Sequence, residues 1–486
     1  MWEKFKSEWL SKPGTNILAG IVVSLALIPE AIAFSIIAGV DPMVGLYASF
    51  LIAVIISFVG GRPAMISAAT GAIALLVTPL VSEYGVDYLL AATILMGVIQ
   101  IILGLLKVGS LMKFIPNSVM IGFVNALAIM IFMSQLQYIF GISIDTYIYL
   151  LITMGILYIM PKIDFLKNVP APLIVVVLLT ALYIFTGANL QTVGNLGTIE
   201  KSLPNFLIPD VPFNMETLQI ILPYSISMAI VGLVETLLTA RIVDNATDTF
   251  SSKNRESRGQ GIANFVTGFF GGMGGCAVIG QSIINVRAGA TTRLSTFTAG
   301  AVLIFMIIVL GDWVVQIPMP ILAGIMIMVS LTTFDWGSFR FLKRAPRTDA
   351  FVMLITVILV LFTNNLAVGV IAGVAFAAIF FATKISKVNV VKEEYDDKIT
   401  YHIAGQIFFV SIDSMMDQID FNQAVGLVEL DFSEAHLWDD SAVDAIDTIV
   451  RKFEERDIGV KVESLNSDSR KIIKELSTLN EQHLTS

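Results

Sequence analysis

Cysteine and histidine are scarce in this 486-residue chain. Its single cysteine, Cys276, excludes a disulfide framework and any metal site built from several cysteines. The three histidines, His402, His436 and His483, all lie beyond residue 400. The first 400 residues therefore offer no histidine as a metal ligand or as a general base, and no metal site or cofactor is expected there.

Charge is also scarce, because 14% of the residues are charged and 56% are hydrophobic. Soluble domains average about 25% charged residues, so most of this chain does not face water. This composition excludes a soluble enzyme, and we expect no enzymatic activity. The net charge of −9, without a long basic stretch, also argues against nucleic acid as a partner.

The charges are divided unevenly along the chain. Residues 392–486 hold nine Lys or Arg and twenty-one Asp or Glu, for a net charge of −12. Residues 1–391 hold the other 21 basic and 18 acidic residues, for a net charge of +3. We therefore predict an apolar membrane domain over 1–391 and a small soluble domain over 392–486.

Apolar segments run through the whole of the first domain, and the bilayer is their expected partner. A helix needs roughly 20 apolar residues to cross a bilayer. Breaks in hydropathy give fourteen segments and predict an all-α polytopic membrane protein. The segments are 15–38, 43–59, 65–82, 88–106, 114–134, 145–160, 170–186, 218–240, 259–272, 275–289, 294–311, 318–333, 348–364 and 366–383.

The connections between these segments differ in charge. The even-numbered connections are basic and carry Arg62, Lys107, Lys113, Lys162, Lys167, Lys253, Arg255, Arg258, Arg293, Arg340, Lys343, Arg344 and Arg347. The odd-numbered connections carry Asp41, Glu83, Asp87 and Asp312, with Lys201 as a single base. Basic loops favour the cytoplasmic side, so we expect a cell-membrane protein whose N-terminus and C-terminal domain are both cytoplasmic.

Two segments begin with small residues. They are residues 66–71 at the start of the third segment and residues 271–277 at the start of the tenth. Small residues allow irregular backbone, which is tolerated at membrane depth where it lines a cavity. Paired interrupted segments in the two halves of a chain indicate a transport site. Seven segments separate this pair, which predicts a 7+7 inverted repeat. Two helices that start near the midplane would offer N–H groups and partial positive charge to an anion, although small residues also allow close helix packing.

Two acidic residues lie inside predicted membrane segments, where ionisable side chains usually have a function. Glu30 lies in the first segment and Glu235 in the eighth, with Thr239 one turn further along the same face. Glu235 can carry a coupling proton, or join Thr239 in a sodium site; either acid can instead make a structural hydrogen bond. Cys276 is predicted to be a small packing residue, and Arg287 to reach the cytoplasmic surface.

Several motifs resemble those of the SulP anion permeases, which are relatives of animal solute carrier 26. Residues 27–34 and 45–47, LIPEAIAF and GLY, resemble the first-helix signature of that family. Residues 254–256 and 259–264, NRE and GQGIAN, resemble its loop into the ninth helix, and 284–290, INVRAGA, its tenth-helix motif. This resemblance covers nearly the whole chain.

The resemblance implies a core domain of helices 1–4 and 8–11 that carries the substrate past a gate domain of helices 5–7 and 12–14, as an elevator. It also implies a homodimer. It places the anion at the starts of helices 3 and 10, near Phe34, Ala69, Thr70, Gly71, Ala277 and Val278.

Coupling residues are also implied by the resemblance. Sodium-coupled relatives have an acidic residue where Glu235 lies, a Thr where Thr239 lies and a further Thr that aligns with Ile279. Because Ile279 has no hydroxyl group, this chain departs from the sodium pattern, and the departure favours protons.

The C-terminal domain has the pattern of a soluble α/β fold. We predict strands at 399–403, 406–410, 426–432 and 459–462, and a helix over 441–456 with apolar residues at helical spacing. This pattern resembles the STAS domain that ends SulP proteins. Ser441 aligns with the serine that is phosphorylated in soluble STAS relatives and is a candidate regulatory residue, but it can equally cap the helix.

We therefore expect a secondary active transporter of small inorganic anions, of the sulfate or bicarbonate class, that works as an elevator and is coupled to protons. The alternatives are sodium-coupled bicarbonate transport, proton-coupled dicarboxylate transport, a nucleobase-type permease, and an uncoupled anion channel or sensor.

Overall fold

A computed structural model describes residues 2–163 and 170–477, with the backbone alone for 2–5 and 111–113. Lys167 and His483, which entered the sequence analysis, lie outside the described residues. The chain forms two compact units, Met1–Val374 and Ala375–Ser486. The division falls inside the last long helix, a few turns before the change in charge, and the boundary at 391/392 stays a prediction.

The first half of the membrane unit contains eight α-helices and one short strand. The helices are α1 Trp2–Trp9, α2 Pro13–Ala38, α3 Pro42–Val59, α4 Gly71–Tyr84, α5 Val86–Leu105, α6 Asn117–Gln135, α7 Ile144–Ile159 and α8 Ala171–Thr186, and strand β1 is Ser67–Ala69. Local signals set these bounds. For example, α2 ends at Gly39 with φ of 77°, and the Asp41 side chain accepts the Met43 N–H at 2.9 Å at the start of α3.

The second half of the membrane unit also contains a short strand between helices. The helices are α9 Met215–Thr247, α10 Lys253–Gly268, α11 Ile279–Arg287, α12 Arg293–Val314, α13 Met319–Thr333, α14 Ser338–Arg344, α15 Arg347–Thr363 and α16 Leu366–Ile385, and strand β2 is Gly275–Ala277. Each of the fourteen predicted segments overlaps with one of these helices. Nine helices of the described ranges are long and apolar enough to cross a membrane, so the exact number of fourteen crossings stays a prediction.

Helices α9 and α10 extend beyond their predicted bounds. Helix α9 continues to Thr247 instead of ending at 240, and α10 begins at Lys253 instead of 259. Both extensions are polar, so hydropathy does not detect them although the helical hydrogen bonds continue. The tenth segment opens with strand β2 before the nine-residue helix α11 starts, in agreement with the irregular start that its small residues predict.

The helices of the membrane unit pack in two groups. Helix α12 packs on α2 and α3, and α10 packs on α5 and α3. Helix α13 packs on α6 and α7, and α15 packs on α6. The division of the membrane helices into a core and a gate domain stays a prediction.

The C-terminal unit is a four-stranded sheet covered by helices. Its elements are β3 Asn389–Tyr395, β4 Lys398–Ile407, α17 Ile412–Met416, β5 Leu427–Leu437, α18 Asp440–Glu454, β6 Gly459–Glu463 and α19 Ser467–Leu476. The strand order is β3-β4-β5-β6; β3 is antiparallel to β4, whereas β4, β5 and β6 are parallel. Fully buried Tyr401, Phe432 and Phe453 occupy its core. The predicted parallel pair around a helix is therefore confirmed.

Two details of this unit were predicted wrongly. The strand predicted at 399–403 and the start of the one predicted at 406–410 form the single strand β4, because the chain passes Gly405 at φ of 129° with a bulge and without a turn; residues 408–410 lie beyond its end. The cap of α18 is Asp439, whose side chain accepts the Ala442 N–H at 2.9 Å. Ser441 is a half-buried first-turn residue and is not the cap. Its regulatory role stays a prediction.

Candidate anion site

The two interrupted segments meet in the middle of the membrane unit. Strands β1 and β2 pair antiparallel, with Ser67 opposite Ala277, Ala68 opposite Cys276 and Ala69 opposite Gly275. The short ladder joins the two halves of the chain and satisfies backbone groups that lipid could not. Residues 206 to 210 positions apart in the sequence are thereby brought together, in the antiparallel sense that an inverted repeat predicts.

Strand β2 is held by side chains of α9 and α10. The Asn264 side chain accepts the Gly275 N–H at 2.9 Å and donates to the Gly275 carbonyl at 3.0 Å. Gln260, one turn earlier on α10, donates to the same carbonyl at 3.0 Å. Thr236 Oγ1 accepts the Ala277 N–H at 3.2 Å. The GQGIAN motif thus positions β2 through two amides that share one helix face.

Strand β1 is held in the same way by buried hydroxyl groups. Ser282 Oγ on α11 accepts the Ile66 N–H at 3.0 Å, and Ser49 Oγ on α3 accepts the Ala69 N–H at 3.2 Å. Thr296 Oγ1 on α12 donates to the Met65 carbonyl at 3.0 Å. The backbone on both sides of the crossing is therefore fixed from several helices, which is the rigidity that a binding site needs.

A helix starts directly after each strand. Helix α4 begins at Gly71 and α11 at Ile279, and within the described chain neither has a side-chain cap at its N-terminus. The first N–H groups of a helix lack intrahelical partners, and its N-terminus carries about half a positive charge. The crossing therefore presents two sets of free N–H donors, which suit an anion.

Both helix starts line one large cavity. It has a volume of about 1010 Å³ and reaches the ends of α6, α7, α8 and α13 at Asn117, Pro161, Ala171 and Asp335. These ends adjoin the even-numbered connections that the charge pattern predicts to be cytoplasmic. Thr70 and Gly71 line it beside α4, and Val278, Ile279, Gly280 and Gln281 line it beside α11.

The structure brings together most of the predicted site residues. Glu30, Phe34, Thr70, Gly71, Glu235 and Val278 all line the cavity. Ala69 and Ala277 lie instead in the paired strands and are buried. The Phe34 ring also explains why residue 71 is a glycine, because a Cβ atom at Gly71 would lie 2.9 Å from that ring. The role of each residue toward an anion stays a prediction.

The two membrane carboxylates bond to side chains of the second repeat. Glu235 Oε2 accepts a hydrogen bond from Cys276 Sγ at 2.9 Å, and Glu30 is hydrogen-bonded to Gln281. Both carboxylates are 7% exposed. The sequence predicted a packing role alone for Cys276. In the structure the thiol also contacts the Glu235 carboxylate.

Thr239 does not contact the Glu235 carboxylate through a hydrogen bond in the described chain. Its hydroxyl donates to the Glu235 backbone carbonyl at 2.7 Å, and the residue is fully buried. The described residues contain no group of three or more His, Cys, Asp or Glu side chains arranged for a metal ion. A role for Thr239 in coupling stays a prediction.

Sequence reasoning missed the opposite wall of the cavity. Helix α6 contributes Phe123, Leu127 and Ile131, and α13 contributes Ile325 and Met328. These residues are apolar in a chain full of apolar residues, so no pattern distinguishes them before the fold is known. Gln281 was also missed, although a polar residue in an apolar segment was a usable signal.

Arg287, predicted to reach the surface, lies at the end of α11 and lines the cavity. It is therefore a basic group that faces the space an anion would enter.

Comparison with known proteins identifies this architecture. The sulfate permease family matches residues 14–152 and 144–356, and the STAS domain matches residues 389–485. The chain belongs to the sulfate permease family. It is 54% identical over 473 residues to the putative sulfate transporter YbaR of Bacillus subtilis (strain 168), covering 97% of this chain and 98% of that protein.

More distant members are named for a second anion. The chain is 27% identical over 407 residues to the bicarbonate transporter BicA of Picosynechococcus sp., covering 77% of this chain and 71% of that protein. The solved transmembrane domain of a cyanobacterial BicA is 26% identical and aligns with a TM-score of 0.65, covering 75% of this chain and 97% of that domain.

A further solved structure is murine Slc26a9 in the inward-facing state. It aligns with a TM-score of 0.84 at 18% identity and covers 97% of this chain and 89% of that one, which supports the fold alone. The sulfate permease member described here is a multi-pass membrane protein and an anion transporter rather than an enzyme, with an inorganic anion as its substrate.

Proposed function

We propose that the protein is a secondary active transporter of sulfate or bicarbonate in which a proton accompanies the anion by binding Glu235. The observation that carries this proposal is the juxtaposition, around one cavity, of two uncapped helix N-termini and the Glu235 carboxylate. Relatives named as sulfate and bicarbonate transporters support the choice of anion class.

Coupling follows from the charges around the cavity. The helix N-termini at Gly71 and Ile279 attract an anion, whereas an ionised Glu235 repels it. Protonation of Glu235 removes this repulsion, so that proton and anion each favour the binding of the other. A site of this kind transports the two ions together.

Protons fit the donor set better than sodium does. Sodium, a hard cation, requires several oxygen ligands. Beside Glu235 the chain offers the Cys276 thiol, the apolar Ile279 side chain, and a Thr239 hydroxyl that bonds to its own helix. A thiol and an alkyl group are poor ligands for sodium, which supports proton coupling.

We propose alternating access by an elevator movement of α2–α5 and α9–α12 against the remaining membrane helices. The moving group contains both half-helices and both carboxylates, and the facing wall of α6 and α13 includes the apolar Phe123, Ile131 and Met328. Apolar contacts of this kind do not depend on one register, which favours sliding. The cavity would be open to the cytoplasm if the basic connections are cytoplasmic.

The same proposal includes the expected homodimer and a cytoplasmic STAS domain. Light scattering of the purified protein, corrected for detergent, tests the first. Accessibility of an epitope placed after residue 486, in intact and in permeabilised cells, tests the second.

Uptake by reconstituted protein tests the proposal. Liposomes that contain the purified chain are supplied with labelled sulfate or bicarbonate, with and without an acid-outside pH gradient. We expect gradient-driven accumulation in the wild type and its loss in Glu235→Gln, which keeps the shape of the side chain but cannot ionise. Equal accumulation without the gradient would reject proton coupling, and large unitary currents would favour a channel.

A further inference from the structure

One thiol connects the carboxylate of Glu235 to a hydroxyl group at the start of α4. Cys276 Sγ lies 2.9 Å from Glu235 Oε2 and 3.1 Å from Thr70 Oγ1. Glu235 and Thr70 both line the cavity, whereas Cys276 is fully buried in β2. Among the described residues, Cys276 is the one hydrogen-bond partner of the Thr70 hydroxyl.

We propose that Cys276 is a positioning residue that transmits the protonation state of Glu235 to the Thr70 hydroxyl, and thereby decides whether Thr70 can donate a hydrogen bond to the anion. This inference rests on the proposed proton coupling through Glu235. It adds a second route by which proton and anion favour each other, beside the direct effect of charge.

The number of protons limits how the three side chains can hydrogen-bond to one another. A thiol has a single proton and donates it to one neighbour at a time. An ionised Glu235 only accepts, so the Cys276 S–H points to it and the Thr70 O–H donates to Sγ. The Thr70 proton is then directed at the thiol and away from the cavity.

Protonation of Glu235 reverses the donor and acceptor roles in these two hydrogen bonds. The carboxylic O–H donates to Cys276 Sγ, and the S–H turns to Thr70 Oγ1. Thr70 then has its own O–H free to donate into the cavity, beside the N-terminus of α4. One proton is added, at Glu235, and the others only change direction, so no covalent bond other than the new O–H forms or breaks.

The surroundings isolate this chain of hydrogen bonds. The titratable groups that face Glu235 across the cavity are Glu30, Tyr158, Arg287 and Asp335, and β2 contributes Cys276. On α4, α5 and α10, which also pack against α9, the charged residues lie at the helix ends. The direct effects of the Glu30 and Arg287 charges on anion binding therefore persist when the thiol is removed. The effect of Glu235 on the orientation of the Thr70 O–H does not.

Calorimetry on the full-length protein in detergent tests the inference. Sulfate and bicarbonate are titrated at pH 6 and pH 8, in two buffers with different ionisation enthalpies, which gives the affinity and the protons taken up per anion. We expect wild-type affinity to be higher at pH 6. In Cys276→Ala we expect the ratio of the two affinities to fall by about tenfold, the usual effect of one hydrogen bond.

Three variants separate positioning from packing. Cys276→Ser has one donor and two acceptor positions, so it should keep the wild-type ratio. Thr70→Val should reduce the ratio of the affinities at pH 6 and pH 8 as Cys276→Ala does. The double variant should show little further loss, because both changes remove the same pair of hydrogen bonds. Ser225→Ala removes a buried bond of α9 to the Ala92 carbonyl, at 3.0 Å, and should leave the ratio unchanged.

The outcomes distinguish this inference from the proposed function. Wild-type protein that binds neither anion, or binds with no proton uptake, overturns both. Wild-type protein with proton uptake whose ratio survives in Cys276→Ala overturns the role of Cys276 alone. If Cys276→Ala does not fold, Thr70→Val decides the matter, since an unchanged ratio in that variant rejects the chain of hydrogen bonds.

Discussion

Asn264 holds the backbone of Gly275 from both sides. Its amide oxygen accepts the Gly275 N–H at 2.9 Å, and its amide nitrogen donates to the Gly275 carbonyl at 3.0 Å. Both residues are buried, and the same amide nitrogen also lies 2.9 Å from Gln100 Oε1. Since Gly275 pairs with Ala69, this one side chain fixes the crossing on which the anion site is built.

Replacing Asn264 by Ala should damage both stability and binding. The substitution leaves the Gly275 N–H buried without its acceptor, which costs about 1–3 kcal/mol. We expect a lower unfolding temperature and at least a tenfold loss of sulfate affinity, measured by thermal denaturation and calorimetry. Gln135→Ala is the control, because this buried amide bonds only within α6 in the described chain. Unchanged affinity in Asn264→Ala would contradict the role given to Gly275.

Gly275 itself should not tolerate a side chain. A Cβ atom there would lie 2.1 Å from the Ala68 carbonyl oxygen, so Gly275→Ala forces β1 and β2 apart. We expect loss of transport in liposomes with membrane insertion retained. Gly155 on α7 is a matched control with no atom within 4 Å of the added Cβ, and Gly155→Ala should keep stability within about 1 kcal/mol. Full transport by Gly275→Ala would show that the strand pairing is dispensable.

Much of this architecture was predictable from the sequence. Apolar length located the long helices of the membrane unit, and the small residues around Gly71 and Gly275 marked the crossing, because irregular backbone at membrane depth needs them. Glu30 and Glu235 were found because charge in an apolar segment is conspicuous, and both line the cavity.

The rest needed the fold. Phe123 and Met328 form the facing wall, but their apolar character is shared by most of the chain. Cys276 was assigned to packing because no histidine is available to activate it, and its hydrogen-bond partners, Thr70 and Glu235, are distant in sequence. Hydrogen bonds of this range depend on tertiary placement, which periodicity does not encode.

The His402–Asp431 pair in the C-terminal unit should titrate abnormally. Asp431 Oδ2 lies 2.8 Å from His402 Nδ1, and this hydrogen bond raises the pKa of His402. Partial burial opposes ionisation of Asp431, but hydrogen bonds from His402 and Ser433 outweigh it and lower the pKa of Asp431. NMR of ¹⁵N-histidine in the full chain should show the raised value, assigned by its loss in His402→Asn. In Asp431→Asn the histidine should return toward its usual pKa.

The sign of the stability effect follows from these directions. The contribution of His402 is present below its unfolded pKa and is lost as pH rises through its folded pKa. The contribution of Asp431 is present above its unfolded pKa and is lost as pH falls through its lowered folded value. Asp431→Asn should therefore destabilise the protein most at mildly acidic pH. A larger effect at pH 9 than at pH 6 in calorimetric scans would oppose this assignment.

Capping of α18 should depend on Asp439 rather than on Ser441. Asp439→Ala removes the acceptor of the Ala442 N–H and should cost about 1 kcal/mol, whereas Ser441→Ala should cost under about 0.5 kcal/mol. Hydrogen exchange of the first α18 amides in the full chain measures both. Equal deprotection in the two variants would mean that Ser441 also caps the helix, and then its modification would act on helix stability.

Proton movement driven by sulfate alone tests the central claim most directly. Liposomes that contain the wild-type chain and a trapped pH dye, with equal pH on both sides, receive external sulfate. We predict acidification of the lumen in step with sulfate entry, and none in Glu235→Gln. Sulfate entry into wild-type liposomes without acidification would contradict proton coupling through Glu235.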